Sequence, residues 1–248
     1  MSRYFITFSY DGTNYHGWQI QPNANTVQQE LQRALSILLR KNIEVVGAGR
    51  TDTGVHARKM AAHFDWDGDA LDNKQTVYRL NRILPRDISV YDVFLVPQEM
   101  HARFSATSRT YHYYIHTQKD PFLRHYSLQV HYPLDFDKMN EAAKRFLNHE
   151  DYAAFCKAGG DNKTTICHVT TAKWVMTSPT SWYFEITANR FLRNMVRAIV
   201  GTLLDVGRGK ISMEQFQDIL EKGSRSDAGE SMPGNALFLE DVSYHFKD

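Results

Sequence analysis

What most limits the fold of this 248-residue chain is the order in which its hydrophobic periodicity changes, because that order occurs twice. "RYFITFSY" alternates with period two and sets Tyr4, Ile6 and Phe8 on one face, as a strand with a buried side does. "TVQQELQRALSILLR" follows with Val27, Leu31, Ala34, Leu35 and Leu38 on one helical stripe, and Thr26 with Gln29 has the spacing of a capping box. "IEVVGA" and "KMAAHFDW" read as strands on either side of a Gly-containing loop, "NKQTVYRLNRIL" as a helix stopped by Pro85, and "ISVYDVFLV" as a strand. The order is βαββαβ, that of the ferredoxin-like unit.

The second half repeats the order with longer pieces. "SRTYHYYIHT" is a strand, "DFDKMNEAAKRFLNH" a helix capped by Asp135, and "TTAKWVMTS" with "SWYFEITANRF" an antiparallel pair turning at Ser178 and Pro179. "RFLRNMVRAIVGTLLDVG" reads as a helix ended by Gly207, "SMEQFQDILEK" as a further helix and "ALFLEDVSYHF" as the closing strand. No letter-by-letter repeat accompanies this, so the duplication is one of architecture. The pattern predicts an α+β protein of two ferredoxin-like subdomains, 1–104 and 105–248, the second with extra helices. Two such sheets side by side would leave a central cleft, the expected place for a site.

Composition narrows the chemistry. The 29 Lys and Arg nearly cancel the 28 Asp and Glu, so an anionic partner must meet a local basic patch. Cys156 and Cys167 have neither CxxC spacing nor a companion pair, which points away from a zinc site or a disulfide framework. No apolar run is long enough for a signal peptide, and none approaches the roughly 18 residues of a membrane span. The expectation is a soluble, cytoplasmic protein.

Three places concentrate residues that a packed core does not need. The loop "GAGRTDTGVHA" (47–57) sets one carboxylate, Asp52, among Arg50, Thr51 and Thr53; alone it reads more readily as a turn with a capping Asp. "HARFSATSRTYHYYI" carries Arg103 and Arg109 before a strand with Tyr111 and Tyr113 on one face and His112 and Tyr114 on the other, a pattern that by itself suits a half-buried sheet. Arg190, Arg193 and Arg197, at spacings of three and seven, fall on one side of the expected helix, usually a solvated face. His56, His101 and His112 lack metal-ligand spacing, which points away from a metal site.

These stretches, together with "YDGTNYHGWQIQP" and "NRFLRNMVRAIVG", resemble in order the successive motifs of the tRNA pseudouridine synthase I family, and they span most of the chain. The resemblance implies isomerisation of uridine to pseudouridine at positions 38, 39 and 40 of the tRNA anticodon stem-loop. It also implies two ferredoxin-like subdomains sharing an extended antiparallel sheet with helices on one face, and a homodimer in which one tRNA touches both subunits. Residue by residue, the family's invariant aspartate falls on Asp52, its active-site tyrosine on Tyr111, its carboxylate-pairing arginine on Arg197 and the arginine of its RTD element on Arg50. Thr53 stands where the family more often has Ala, and Ala236 where Gly commonly precedes Leu237.

The chemistry explains why such residue types would be needed together. Making pseudouridine breaks the N1–C1′ bond, turns the base, rejoins it through C5 and removes the C5 proton; nothing is oxidised and no group donor enters, so no cofactor is expected. A carboxylate can attack C1′ or take a ribose proton, and in both cases it must be ionised, a form that a neighbouring arginine favours. Tyr111 suits stacking on a flipped uracil, worth about 1–3 kcal/mol. Arg50, Thr51, His56, Arg58, Arg103, Arg109, Arg190 and Arg193 are the expected substrate contacts, with Lys59, Arg208, Lys210 and the Arg79, Arg82 and Arg86 group as further phosphate partners. Two other classes compete. A non-catalytic RNA-binding module of the same fold should carry an RNP1-like K/R-G-F/Y run, which is absent, and a glycoside or nucleoside hydrolase should pair Asp52 with a second acid in the motifs.

Overall fold

A computed structural model describes residues 1–157 and 163–246. They form two compact units: Met1–Thr107 with the chain from Phe238 onward, and Ser108–Leu237. Both are α+β with mostly antiparallel strands.

The first unit runs β1 (Ser2–Tyr10), α1 (Val27–Leu39), β2 (Val46–Gly47), β3 (His56–Trp66), α2 (Asn73–Ile83) and β4 (Ile88–Val96), the order read from periodicity. Its strands lie in the order β4-β1-β3, with β2 on β3, and every one of these pairs is antiparallel. Ile6 sits opposite Ala62 in β3 and Val93 in β4, so the buried residues of three strands align in one row. Against them α1 buries Val27, Leu31, Ala34 and Leu35 completely. Burial of this kind is worth about 1.5–3 kcal/mol for each large apolar side chain, so the face contributes strongly to the unit's stability.

Three local expectations are corrected here. Thr26 is the N-cap of α1, but its hydroxyl makes no cap bond and the side chain is buried; a capping box does join Ser212 to Gln215 at the start of the helix Met213–Lys222. "IEVVGA" contributes only two strand residues, because its backbone bonds to α1 side chains. Ile43 N donates to Ser36 Oγ (3.0 Å), Val45 N to Gln32 Oε1 (3.0 Å), and Gln28 Nε2 to Val45 O (2.8 Å). β1 is also buried on both sides: Phe5 packs with Val96 and Ala102 against Phe94, Met100 and Tyr244. Tyr244 ends β9 (Leu237–Tyr244), which pairs in parallel with β3 at His56↔Phe238 and Ala57↔Leu239.

The second unit contains β5 (Ala106–His116), β6 (Leu128–Gln129), α3 (Phe136–Arg145), β7 (Val169–Ser178), β8 (Ser181–Ala188), α4 (Met195–Gly207) and α5 (Met213–Lys222). β8 lies between β5 and β7, antiparallel to both, and the short β6 is parallel to β5. α3 is capped as expected, the Asp135 carboxylate accepting the Lys138 amide at 3.0 Å. α4 is apolar on nearly every side and buried at every position but Arg197 and Asp205, as suits an interior helix. It begins later than its sequence suggests. Asn194 takes a left-handed φ of 69° and its side chain donates to Ser231 Oγ (2.5 Å), which breaks the helical run. Arg190 and Arg193 therefore lie on the approach to α4 and do not share a helix face with Arg197. Among the described residues no helix is long and apolar enough to cross a membrane.

Candidate active site

Asp52, half-buried, stands in the loop between β2 and β3 of the first unit. A loop has no internal ladder to hold it, and this one is held by the segment that follows β1. Gly54 N donates to Tyr15 O (3.2 Å), Trp18 N to Thr51 O (3.4 Å), and the hydroxyls of Tyr10 and Thr51 meet at 2.9 Å. Gly17 makes the closest approach: its φ is +85°, and a Cβ there would lie 2.2 Å from the Thr51 carbonyl oxygen, so only glycine fits. The buried Tyr15 donates its hydroxyl to Asp87 Oδ1 (2.5 Å); burial and that carboxylate push its ionisation far above the usual range, so it stays a donor. Val55 N closes the turn on Asp52 O at 3.2 Å.

His56, one of the expected substrate contacts, is 1% exposed. Its Nδ1 lies 3.0 Å from both the Gly12 amide and the Asp11 carboxylate, and its ring stacks on Phe238 at 4.4 Å. Arg58 lies over the same Phe238 ring and pairs with Glu240 at 3.0 Å, while Lys59 pairs with Asp241 at 2.6 Å. The "HARF" turn is shaped by two histidines: His101 Nδ1 accepts the amides of Arg103 (3.1 Å) and Phe104 (3.3 Å), and His63 Nδ1 accepts that of Ala102 (3.1 Å). Burial, with help from Arg3 and His101, pushes His63 down to about 4, so it is a neutral acceptor at ordinary pH. Arg103 and Phe104 are exposed at this turn, and Arg50 is exposed beside Thr51.

In the second unit, β5 presents Tyr111 half-buried, opposite Ile186 and edge-on to Phe191 at 5.0 Å. Tyr113 shares its face but not its fate. It is fully buried and donates to Pro233 O (3.0 Å); burial raises its hydroxyl's ionisation, and only the nearby Arg197 charge opposes the rise. Arg197 projects from the first turn of α4, half-buried, with Nε donating to Met232 O at 2.5 Å. Arg109 Nη1 donates to Asn189 O (2.7 Å); Arg190 is half-buried and Arg193 exposed. Arg208 and Lys210 both pair with Asp205, at 3.4 and 3.1 Å. Thus Asp52, Arg50, Thr51, His56, Arg58 and Arg103 belong to the first unit, and Arg109, Tyr111, Arg190, Arg193 and Arg197 to the second. Among the described residues no group of three His, Cys, Asp or Glu could hold a metal.

Two sets of residues carry this geometry without having been singled out in the sequence: Tyr15 and Gly17, which hold the acid's loop, and Met232, which holds the arginine. Gly17 sits inside the quoted "YDGTNYHGW" motif, and a glycine between a histidine and a tryptophan was the available signal.

The family model described as "tRNA pseudouridine synthase" matches residues 6–105 and 142–245. The chain is 56% identical to the tRNA pseudouridine synthase A of Bacteroides fragilis over 98% of its own length and 97% of the relative's. It is 40% identical to that of Bacillus subtilis over 96% and 97%, and 39% identical to that of Caldicellulosiruptor bescii over 98% and 100%. With the model covering most of the chain and such identities holding from end to end, this chain belongs to the tRNA pseudouridine synthase family.

Proposed function

We propose that the protein isomerises uridine to pseudouridine in tRNA, at positions 38, 39 and 40 of the anticodon stem-loop, as a cytoplasmic homodimer and without a cofactor. The observation that carries this is the end-to-end similarity to enzymes named tRNA pseudouridine synthase A, with the RTD loop formed around Asp52. A family of enzymes disfavours the non-catalytic reading.

In this reading Asp52 is the ionised carboxylate at the ribose of a flipped uridine. It either attacks C1′ or removes a ribose proton as the N1–C1′ bond breaks; the uracil then turns and rejoins C1′ through C5, and the C5 proton leaves. Arg197 favours the ionised acid, and Tyr111 stacks on the uracil while Phe191 packs against its ring edge. Arg50 holds the flipped nucleotide or fills the gap left in the stem. Arg58, Arg103, Arg109, Arg190 and Arg193 supply phosphate contacts, which read shape and would let one enzyme serve three neighbouring uridines.

The test is tRNA carrying tritium at C5 of uridine. Tritium release together with pseudouridine mapped to positions 38–40 is the expected outcome. Free uracil would indicate a hydrolase and binding without release a passive module, and either would overturn the proposal. Gel filtration reports the dimer, and a monomer that binds tRNA fully would remove it.

A further inference from the structure

α4 is buried along nearly its whole length, and one polar segment lies against it so closely that side chains are excluded. A Cβ on Gly201 would fall 1.9 Å from the Glu230 carbonyl oxygen, and one on Gly229 would fall 2.6 Å from the Gly201 carbonyl carbon. The buried Thr202 joins the two backbones: its hydroxyl donates to Ala198 O (2.9 Å) and accepts the Gly229 amide (2.8 Å). Nearer the start of the helix the same segment bonds Arg197 twice. Met232 N donates to Arg197 O (3.1 Å), and Arg197 Nε donates to Met232 O (2.5 Å). Arg225 ties the segment to itself, with Nη1 on Gly229 O (3.0 Å) and Nη2 on Ser231 Oγ (2.6 Å). Ser231 Oγ also accepts from Asn194, the residue just before α4.

We infer that residues 225–232 form a strap whose task is to aim the Arg197 guanidinium, with Thr202 and Arg225 as positioning residues. An arginine side chain loses much rotamer freedom when it is ordered. A bond at Nε sets the plane of the fork in advance, so a carboxylate is met through the terminal nitrogens in a fixed orientation. The zipper from Gly229 to Met232 supplies that bond, and Thr202 and Arg225 keep the zipper in register. The two bonds between Met232 and Arg197 are the route by which the strap acts on the guanidinium. This assignment rests on the role proposed for Arg197 in uridine isomerisation.

The experiment measures kcat and KM for pseudouridine formation in tRNA, with the thermal midpoint alongside. Thr202→Val keeps the shape of the side chain but cannot accept the Gly229 amide, whereas Thr202→Ser can. Thr202→Val is expected to lower kcat about tenfold with KM unchanged, and Thr202→Ser to restore it. Arg225→Gln, outside the core, should act in the same direction and serves if Thr202→Val does not fold. In an Arg197→Lys background, where the side chain has neither an Nε donor nor a fork to orient, neither change should lower kcat further. Full kcat in both variants, a parallel rise in KM, or the same fold-loss with and without Arg197 overturns the strap. Wild-type protein that makes no pseudouridine overturns the isomerase itself, and that control separates the two failures.

Discussion

Asp52 and Arg197 are held in opposite ways. The acid sits on a loop placed by main-chain contacts, with Gly17 pressed against Thr51 and Tyr15 O receiving the Gly54 amide. The arginine sits on a helix whose own hydrogen-bond ladder fixes its Cα, so only the side chain needs a guide, and Met232 O provides it. A loop lacks such a ladder and must borrow position from a neighbouring backbone. The contrast implies that the acid's site tolerates almost nothing at its close contact, while the arginine's tolerates graded change.

Substitutions can break or sharpen that contrast. Asp52→Asn should lower pseudouridine formation at least about a thousandfold with the thermal midpoint and tRNA binding kept; turnover within tenfold of wild type would remove Asp52 from the chemistry. Arg197→Ala should cost about a hundredfold in kcat, and Arg197→Lys clearly less, because in the role proposed for it a point charge still favours an ionised carboxylate although it loses the fork. Equal and unimpaired rates for both would show that the arginine plays no part. Gly17→Ala forces a side chain into a left-handed φ and against Thr51 O, so it should destabilise by about 1–3 kcal/mol and lower kcat about tenfold. A variant with normal kcat would mean that the loop is placed by something else.

Two smaller effects complete the comparison. His63 has its pKa lowered from 6.5 to about 4 in the fold, so between these values the unfolded chain binds the extra proton. Its contribution to stability is present above pH 6.5 and is lost as pH falls toward about 4. His63→Asn, which keeps an acceptor for the Ala102 amide, should flatten that part of the curve of thermal midpoint against pH; identical slopes in both proteins would contradict it. Smallest of all is Gly49→Ala. A methyl group there meets nothing within 4 Å, so stability should change by no more than about 0.5 kcal/mol and kcat hardly at all. A large loss at Gly49 would mean that the whole loop, and not its contact with Gly17, is intolerant.

Much of the fold was legible in the sequence, because periodicity is a local property. Val27, Leu31, Ala34 and Leu35 line up at helical spacing whatever they pack against, and they are the residues α1 buries. The loop around Asp52 was legible as a motif for the same reason: Arg50, Thr51 and Asp52 are neighbours in the chain. Local pattern misled where distant segments intervened. The run from Arg190 reads as continuous helix, but Ser231 captures Asn194 and α4 starts only at Met195, which separates Arg190 and Arg193 from the face of Arg197. "IEVVGA" alternates like a strand, yet α1 side chains take its amides.

What the sequence determined by itself was the order of elements, their apolar faces and the residue types gathered in each motif, since each of these is written within a few turns or a few strand residues. What only the tertiary structure decided was which backbones touch: Gly17 on Thr51, Gly229 on Gly201, Phe238 beside His56, and Met232 on Arg197. A glycine that permits close approach looks in sequence like a glycine in any turn. A carbonyl that will orient a guanidinium 35 residues away has no side-chain signature at all.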